Sequence, residues 1–251
     1  MAIQKKTYID FLGMPEPEVH LSYLTQETAV AAGTDARANQ WTFANGSALE
    51  CWMGDASAHI VPVTVAGVGL DIPLDEADND QVQLIVADSI NSTGPCYTIG
   101  TDAAFRVDVK FLLEDVNDMD VCAVGFRKQA AFVEDLQTNA AWKTAYTDMA
   151  ALSIDGTAET SPIRIYHSLN GSDAEVDTTD TFADSATKTF SVLVSSAGVV
   201  TYLIDGTAPT VTLAQTFDDG DVVIPFFEAI MQATGSAGHR PCLVSWFSGH
   251  Q

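Results

Sequence analysis

The chain has 251 residues, 47% of them hydrophobic and 18% charged, a globular composition with enough material for one large domain or two small ones. Eleven Lys and Arg stand against 34 Asp and Glu, a formal net charge of −23. A surface of that sign repels phosphate backbones and anionic lipid headgroups, so neither nucleic acid nor membrane is an expected partner; solubility, cations or a basic protein surface fit it better.

The opening MAIQKKTYID carries two lysines with no apolar stretch behind them, so no export signal is expected. No apolar run approaches the ~20 residues of a membrane-spanning helix. The four cysteines, Cys51, Cys96, Cys122 and Cys242, form no CxxC pair and are expected as buried free thiols.

In chain order, residues 1–58 read as an N-terminal arm with short strands. Pro15-Glu16-Pro17-Glu18 interrupts regular structure. Glu27 to Ala38 reads as a short helix or an ordered loop. Trp41-Thr42-Phe43 and Leu49 to Met53 flank Asn45-Gly46, a turn dipeptide, and predict two paired strands.

Residues 59–251 read as one β domain. His59 to Val68 is β-branched, with Pro62 assigning it to an edge. Gln81 to Val86 is a strand. From Phe105 to Leu113 the apolar Phe105, Val107, Val109 and Phe111 alternate with Arg106, Asp108 and Lys110, the pattern of a half-buried antiparallel strand. Glu114 to Asp118 turns and Val121 to Arg127 returns. Asn139 to Met149 is the best helix candidate, with Trp142, Ala145, Tyr146 and Met149 at helical spacing; Met149 to Ile154 also reads as a strand. Pro162 to Ser168 is a strand closed by Asn170-Gly171, and Ser172 to Asp184 reads as a long acidic loop with one short strand. The clearest unit runs from Thr187 to Gly206: Phe190, Val192 and Val194 alternate with Ser191, Leu193 and Ser195, Ser-Ala-Gly breaks the run, and Val199 to Ile204 leads to Asp205-Gly206. Such a pattern predicts a hairpin. Val222 to Met231 and Pro241 to Phe247 complete the set. Strands at this spacing, with turn dipeptides between them, predict an all-β antiparallel sandwich.

FRVDVKFLL, DVCAVGFRK, PIRIYHSLNG, TKTFSVLVSSAGVVTYLIDG and DVVIPFFEAIMQ together resemble the concanavalin A-like lectin/glucanase jelly roll. Tyr202-Leu203-Ile204-Asp205-Gly206 fills that family's recurring hairpin end, and Val223-Ile224-Pro225-Phe226 is similar to the start of one of its later strands. The family contains lectins, glycosidases and structural modules, so the resemblance implies a fold and leaves the function open among them. The arm, the acidity and the Ala/Thr/Asp-rich sandwich also resemble capsid decoration proteins of tailed bacteriophages. That resemblance implies a non-enzymatic virion protein on the outer capsid surface, assembled in the host cytoplasm. Its partners would be a major capsid protein and further copies of itself, a trimer by analogy. The alternatives are a carbohydrate-binding module, with a host-surface glycan as partner, and a glycoside hydrolase.

The residues offer few candidates for chemistry. Glycosidases of this fold carry a Glu-x-Asp-x-(x)-Glu signature whose paired carboxylates act ~5 Å apart in retaining enzymes. The near match here is Glu175-Val176-Asp177-Thr178-Thr179-Asp180, with Asp in the final position and no aromatic neighbours. The acidic stretches Asp75 to Asp80 and Glu114 to Asp120 lack the Gly and terminal Glu of an EF-hand. The five histidines, His20, His59, His167, His239 and His250, are scattered. Gly67-Val68-Gly69 lacks the third Gly and following helix of a dinucleotide site and reads as a turn. Trp41, Trp52, Trp142 and Trp246 could stack on sugar rings, though core packing is the more ordinary use of the indole. No catalytic, cofactor-binding or metal-ligating residue is assigned, and no cofactor is expected.

Overall fold

The computed structural model describes seventeen strands and one short helix, with side chains described for residues 69–72, 74, 81–85, 96–130, 133, 141–154, 160–231 and 241–251. The strands are β1 (Lys6–Asp10), β2 (Leu24–Ala29), β3 (Arg37–Phe43), β4 (Ala48–Met53), β5 (Val63–Val65), β6 (Gly69–Asp71), β7 (Gln81–Ala87), β8 (Tyr97–Thr98), β9 (Phe105–Leu113) and β10 (Met119–Lys128). After helix α1 (Asn139–Thr144) come β11 (Met149–Ile154), β12 (Thr160–Leu169), β13 (Ser172–Ala183), β14 (Ala186–Val194), β15 (Val200–Ile204), β16 (Val222–Met231) and β17 (Pro241–His250).

They form two antiparallel sheets. The smaller runs β15-β14-β9-β17-β6-β5, with β1 also on β17; the larger runs β13-β12-β11-β10-β16-β7-β4-β3-β2, with β8 also on β16. Apolar residues at every second position of β9 and β14 meet their counterparts from β10, β11 and β16, and the inter-sheet core follows from that alternation. At its centre Phe111 packs against Phe182, Phe190 and Phe227 at centroid distances of 5.3, 5.0 and 5.6 Å. Toward one end Tyr97 stacks on Phe105 at 4.3 Å, and both meet Phe126 edge-on.

The turns follow from their dipeptides. Asn170 (φ 52°) and Gly171 (φ 77°) join β12 to β13, and Asp205 (φ 50°) and Gly206 (φ 80°) follow β15. Two successive positive φ values are what a tight hairpin of matching twist requires, and Asn-Gly and Asp-Gly supply them at low cost. The β14–β15 pairing carries Val194 opposite Val200 and Phe190 opposite Ile204.

Three stretches differ from their sequence-based expectations. Residues 1–58, expected as an arm with short strands, supply β1 to β4: the expected pairing of Trp41–Phe43 with Leu49–Met53 is present as β3 on β4, and in addition β1 pairs along Ser245 to Gly249 of β17 and β4 pairs with β7. A strand on an otherwise open edge satisfies a row of backbone N–H and C=O groups, which favours docking over a free arm. Glu27 lies in β2 and Ala38 in β3, and these two strands pair with each other. Ser172 to Ala183 is a twelve-residue edge strand where a loop was expected. Its exposed acidic side chains hide the strand in the sequence and also discourage further strands from adding to it.

Candidate functional site

The outer face of the larger sheet, turned away from the inter-sheet core, carries a second apolar cluster. Ile85 of β7, Val121 and Ala123 of β10, Met149 and Ala151 of β11, and Tyr166 of β12 pack there with Ile224, Phe226 and Ile230 of β16. Trp142 and Tyr146 lie on top of them, from α1 and the turn after it, and both are buried. Part of a face that would otherwise meet water is therefore covered by Trp142 and Tyr146, with Ala141 and Ala145 packed beside them.

Within this apolar surround sits one polar set. Glu228 of β16 is fully buried. Its register neighbour on β7 is Gln83, and the next β7 residue on that face, Gln81, lies opposite Ile230. Gln81 Nε2 donates to Glu228 Oε1 at 2.6 Å, and Gln83 Nε2 donates to Glu228 Oε2. Arg127 of β10, 1% exposed, donates from Nε to Gln83 Oε1 at 2.8 Å and from Nη1 to the carbonyls of Lys128 and Ala130 at 3.0 and 3.1 Å. Its guanidinium lies 4.3 Å from the centroid of the Tyr146 ring.

The covering segment is fastened to the same groups. The Tyr146 hydroxyl accepts from Gln83 Nε2 at 3.3 Å and from the Val133 N–H at 3.4 Å, and Gln81 Nε2 also donates to the Val133 carbonyl at 3.1 Å. Trp142 meets Tyr166 edge-on at 5.3 Å. Lys143 pairs with Glu175 and lies 5.2 Å from the Tyr166 ring centroid. The Trp142 indole N–H is buried and finds no acceptor among the described residues.

Electrostatics follow from the seal. Loss of hydration raises the proton affinity of Glu228; the Gln83 and Gln81 amides and the Arg127 charge act the other way, and the balance brings its pKa to about 7. Burial also raises the Tyr146 phenol above its ordinary value and lowers Arg127 from its own.

The residues singled out in the sequence lie elsewhere or play other parts. Glu175 stands on β13, ion-paired with Lys143 and, at 3.3 Å, with Arg164. Asp177 accepts from the N–H of Thr179 at 2.8 Å. β13 is four strands from β16 in the sheet order, which places Glu175 roughly 19 Å from Glu228. Trp142 and Trp246 are both fully buried, while the side chains of Trp41 and Trp52 lie outside the described residues. In the acidic stretch from Glu114, Asp115 accepts from the Asn117 N–H at 2.8 Å, as an ordinary turn. The stretch Asp75 to Asp80 lies outside the described residues, as do His20, His59 and His239. His167 lies on β12, and His250 ends β17 with Nδ1 3.2 Å from the Ala103 carbonyl. No group of three His, Cys, Asp or Glu among the described residues is arranged to hold a metal ion. Gly69 begins β6 at φ 136°, where a Cβ would lie 2.3 Å from the Leu243 carbonyl.

The polar set of Gln81, Gln83, Arg127, Tyr146 and Glu228 was not singled out in the sequence. The available signal was a polar residue at the outward parity of an otherwise apolar strand: Glu228 in VVIPFFEAIM, Arg127 in MDVCAVGFRK and the two glutamines in QVQLIVA.

No protein-family model matches the chain, and no curated protein does. Solved structures do. The carbohydrate recognition domain of Emp47p aligns at a TM-score of 0.54 with 11% identity, over 91% of this chain and 97% of that one. The potassium-bound carbohydrate recognition domain of Emp46p aligns at 0.53, again at 11% identity, over 96% and 94%. The fold is a lectin-like jelly roll. An alginate lyase from Pseudomonas aeruginosa aligns at a TM-score of 0.48 and 14% identity, over 73% of this chain and 83% of that one. In the lectin-like sandwich described here, the outer face of the larger sheet is the one that gathers buried polar groups among aromatic rings.

Proposed function

We propose that this chain is a non-enzymatic carbohydrate-binding domain that takes a glycan on the outer face of its larger sheet. The observation that carries this reading is the alignment with the Emp47p and Emp46p carbohydrate recognition domains, which spans more than nine-tenths of both partners in each case. The chemistry of the face agrees with it. A sugar presents hydroxyls in one plane and C–H groups above and below it. Carboxamides, a carboxyl group and a guanidinium stand on that face near Tyr166, buried and bonded to one another, and would serve a sugar only once Trp142 and Tyr146 are displaced. This reading is favoured over a capsid-decoration role with a major capsid protein as partner, for which the fold supplies no specific observation.

Glycoside hydrolysis is the less favoured use of the same face. That reaction uses two carboxyl groups ~5 to 9.5 Å apart. Glu228 faces two glutamines and, through one of them, an arginine, while Glu175 is engaged by two cations at the far edge of the sheet. A glycan array probed with the labelled full chain, with calcium and with chelator, tests the proposal. Saturable binding to a defined set of glycans, with no new reducing ends on incubation, is the expected result. No binding to any glycan under either condition would overturn it.

A further inference from the structure

β13 closes the larger sheet: β12 pairs with it on one side, and no strand among the described residues pairs with it on the other. The register with β12 is unbroken from Leu169↔Ser172 to Arg164↔Asp177, so Ser172 to Asp177 form a regular edge. The two-residue turn Asn170-Gly171 fixes which of them face outward. With positive φ at both positions it closes a hairpin whose last pair, Leu169 and Ser172, exchanges both backbone hydrogen bonds. Bonded and non-bonded pairs alternate from there. Ser172, Ala174 and Val176 therefore give their N–H and C=O groups to β12, while those of Asp173, Glu175 and Asp177 point away from the sheet. Beyond Asp177 the edge is shut. The register shifts, Thr179 takes φ 67°, and the N–H groups of Thr179 and Asp180 donate to Asp177 Oδ1 at 2.8 Å and to Thr178 Oγ1 at 3.2 Å.

The three residues whose backbone faces outward are all acids, exposed, and on one face of the sheet at every second position. Glu175 is already met by Lys143 and Arg164, and Asp173 and Asp177 flank it. A second copy of this chain, added antiparallel and centred on Glu175, would set Asp173 against Asp177 and Glu175 against its own counterpart, and like charges directly opposite destabilise a pair of strands. A strand with Lys or Arg at alternate positions would instead set a cation beside each carboxylate and complete the outward backbone row at the same time. We propose that Ser172 to Asp177 is a docking edge for an extended, cationic segment of a partner protein, which adds to the larger sheet as one more strand. The carboxylates that turn away a copy of this chain are the ones that select this partner. The formal net charge of −23 draws a basic chain toward the protein from every side, and the backbone row gives it one place and one register. The proposal does not rest on the glycan reading: β13 is four strands from β16 in the sheet order.

The test titrates a short peptide of alternating lysine and threonine into the isotope-labelled full chain at physiological ionic strength, and follows amide exchange residue by residue. The expected result is saturable binding in which the amides of Asp173, Glu175 and Asp177 gain protection, while those of Ala174 and Val176, bonded to β12 already, do not change. The same peptide N-methylated at its lysine backbone nitrogens keeps every charge and loses the strand's donors; it should bind about tenfold more weakly or not at all. Alternating glutamate and threonine should not bind. Asp173→Asn combined with Asp177→Asn leaves the Thr179 N–H its acceptor and should weaken binding about fivefold. Equal binding of the methylated peptide would overturn the proposal, since charge alone would then hold it. So would binding that leaves the three outward amides unprotected, or no binding at millimolar peptide. Protection of those amides that grows with the concentration of the peptide-free chain would also overturn it, because a second copy would then occupy the edge. The methylated peptide is tested on the wild type, so the outcome does not depend on the variant folding. No glycan is used, so failure here is separable from a negative glycan array.

Discussion

Glu228 and Arg127, an acid and a base, are both buried and meet through the carboxamide of Gln83, which donates to the first and accepts from the second at 2.8 Å. A neutral bridge of this kind gives both side chains a partner without bringing them into direct contact. It also makes the pair depend on one uncharged residue. Gln83→Ala should therefore cost about 3 kcal/mol, since it leaves a buried carboxylate and a buried guanidinium each short of a partner. Urea denaturation near neutral pH measures this; a loss below about 1 kcal/mol would show that the bridge carries little.

The pH dependence of stability should bear the mark of Glu228. Its folded pKa, about 7, lies above the ordinary 4.5, so the folded chain binds the proton more tightly than the unfolded chain. The resulting stabilisation is fully present below pH 4.5 and is lost as pH rises to 7, about 3 kcal/mol in total. Comparing the wild type with Glu228→Gln across this range isolates the effect from other carboxylates. The wild type should lose about that amount relative to the variant between pH 4.5 and 7.

Asp148 should behave in the opposite sense. Burial acts to raise its pKa, but Lys128, the Asn170 N–H and Thr147 outweigh that and hold it below the ordinary carboxylate value. Its stabilisation is present above the unfolded pKa and fades as pH falls through the folded one. Asp148→Ala should cost about 2 kcal/mol at pH 7 and less in acid, by the loss of charge-assisted bonds to groups that can partly return to water. Chemical denaturation at pH 7 and pH 3 checks both halves.

Much of the sandwich is legible wherever one strand face is buried and the other is not. In β9, Phe105, Val107, Val109 and Phe111 are buried while Arg106 and Lys110 are not, and the alternation in sequence is the alternation in space. The β14–β15 hairpin is legible for the same reason, with Asp205-Gly206 marking its end. β13 is not legible, because at a sheet edge most of its residues face water and only Thr178 and Phe182 are buried. α1 is legible as a helix over its first six residues; from Ala145 the chain leaves the helix so that Tyr146 can reach Gln83. The polar site is hidden by its surroundings. Glu228 is a single acid in a run of apolar residues, and recognising it requires knowing that Gln83 and Arg127 come from the two strands beside it.

Gly125 marks a close approach beneath the same face. A Cβ there would lie 2.0 Å from the Ala150 carbonyl oxygen and 2.7 Å from Ala151 Cα, both backbone atoms of β11. Neither can withdraw without disturbing the β10–β11 ladder. Gly125→Ala should cost about 3 kcal/mol, an overpacking penalty at the upper end of its usual range. Thermal or urea denaturation measures it, and a neutral result would mean that the two strands separate more readily than their pairing implies.

The carbohydrate-binding reading is tested most directly by mapping amide chemical shifts of the labelled full chain during titration with the glycan that scores highest on an array. The account expects saturable shifts concentrated on the outer face of β7, β10, β11 and β16 and on residues 139–146, with the opposite sheet unmoved. Absence of shifts at millimolar glycan, or shifts confined to β9, β14 and β17, would contradict it.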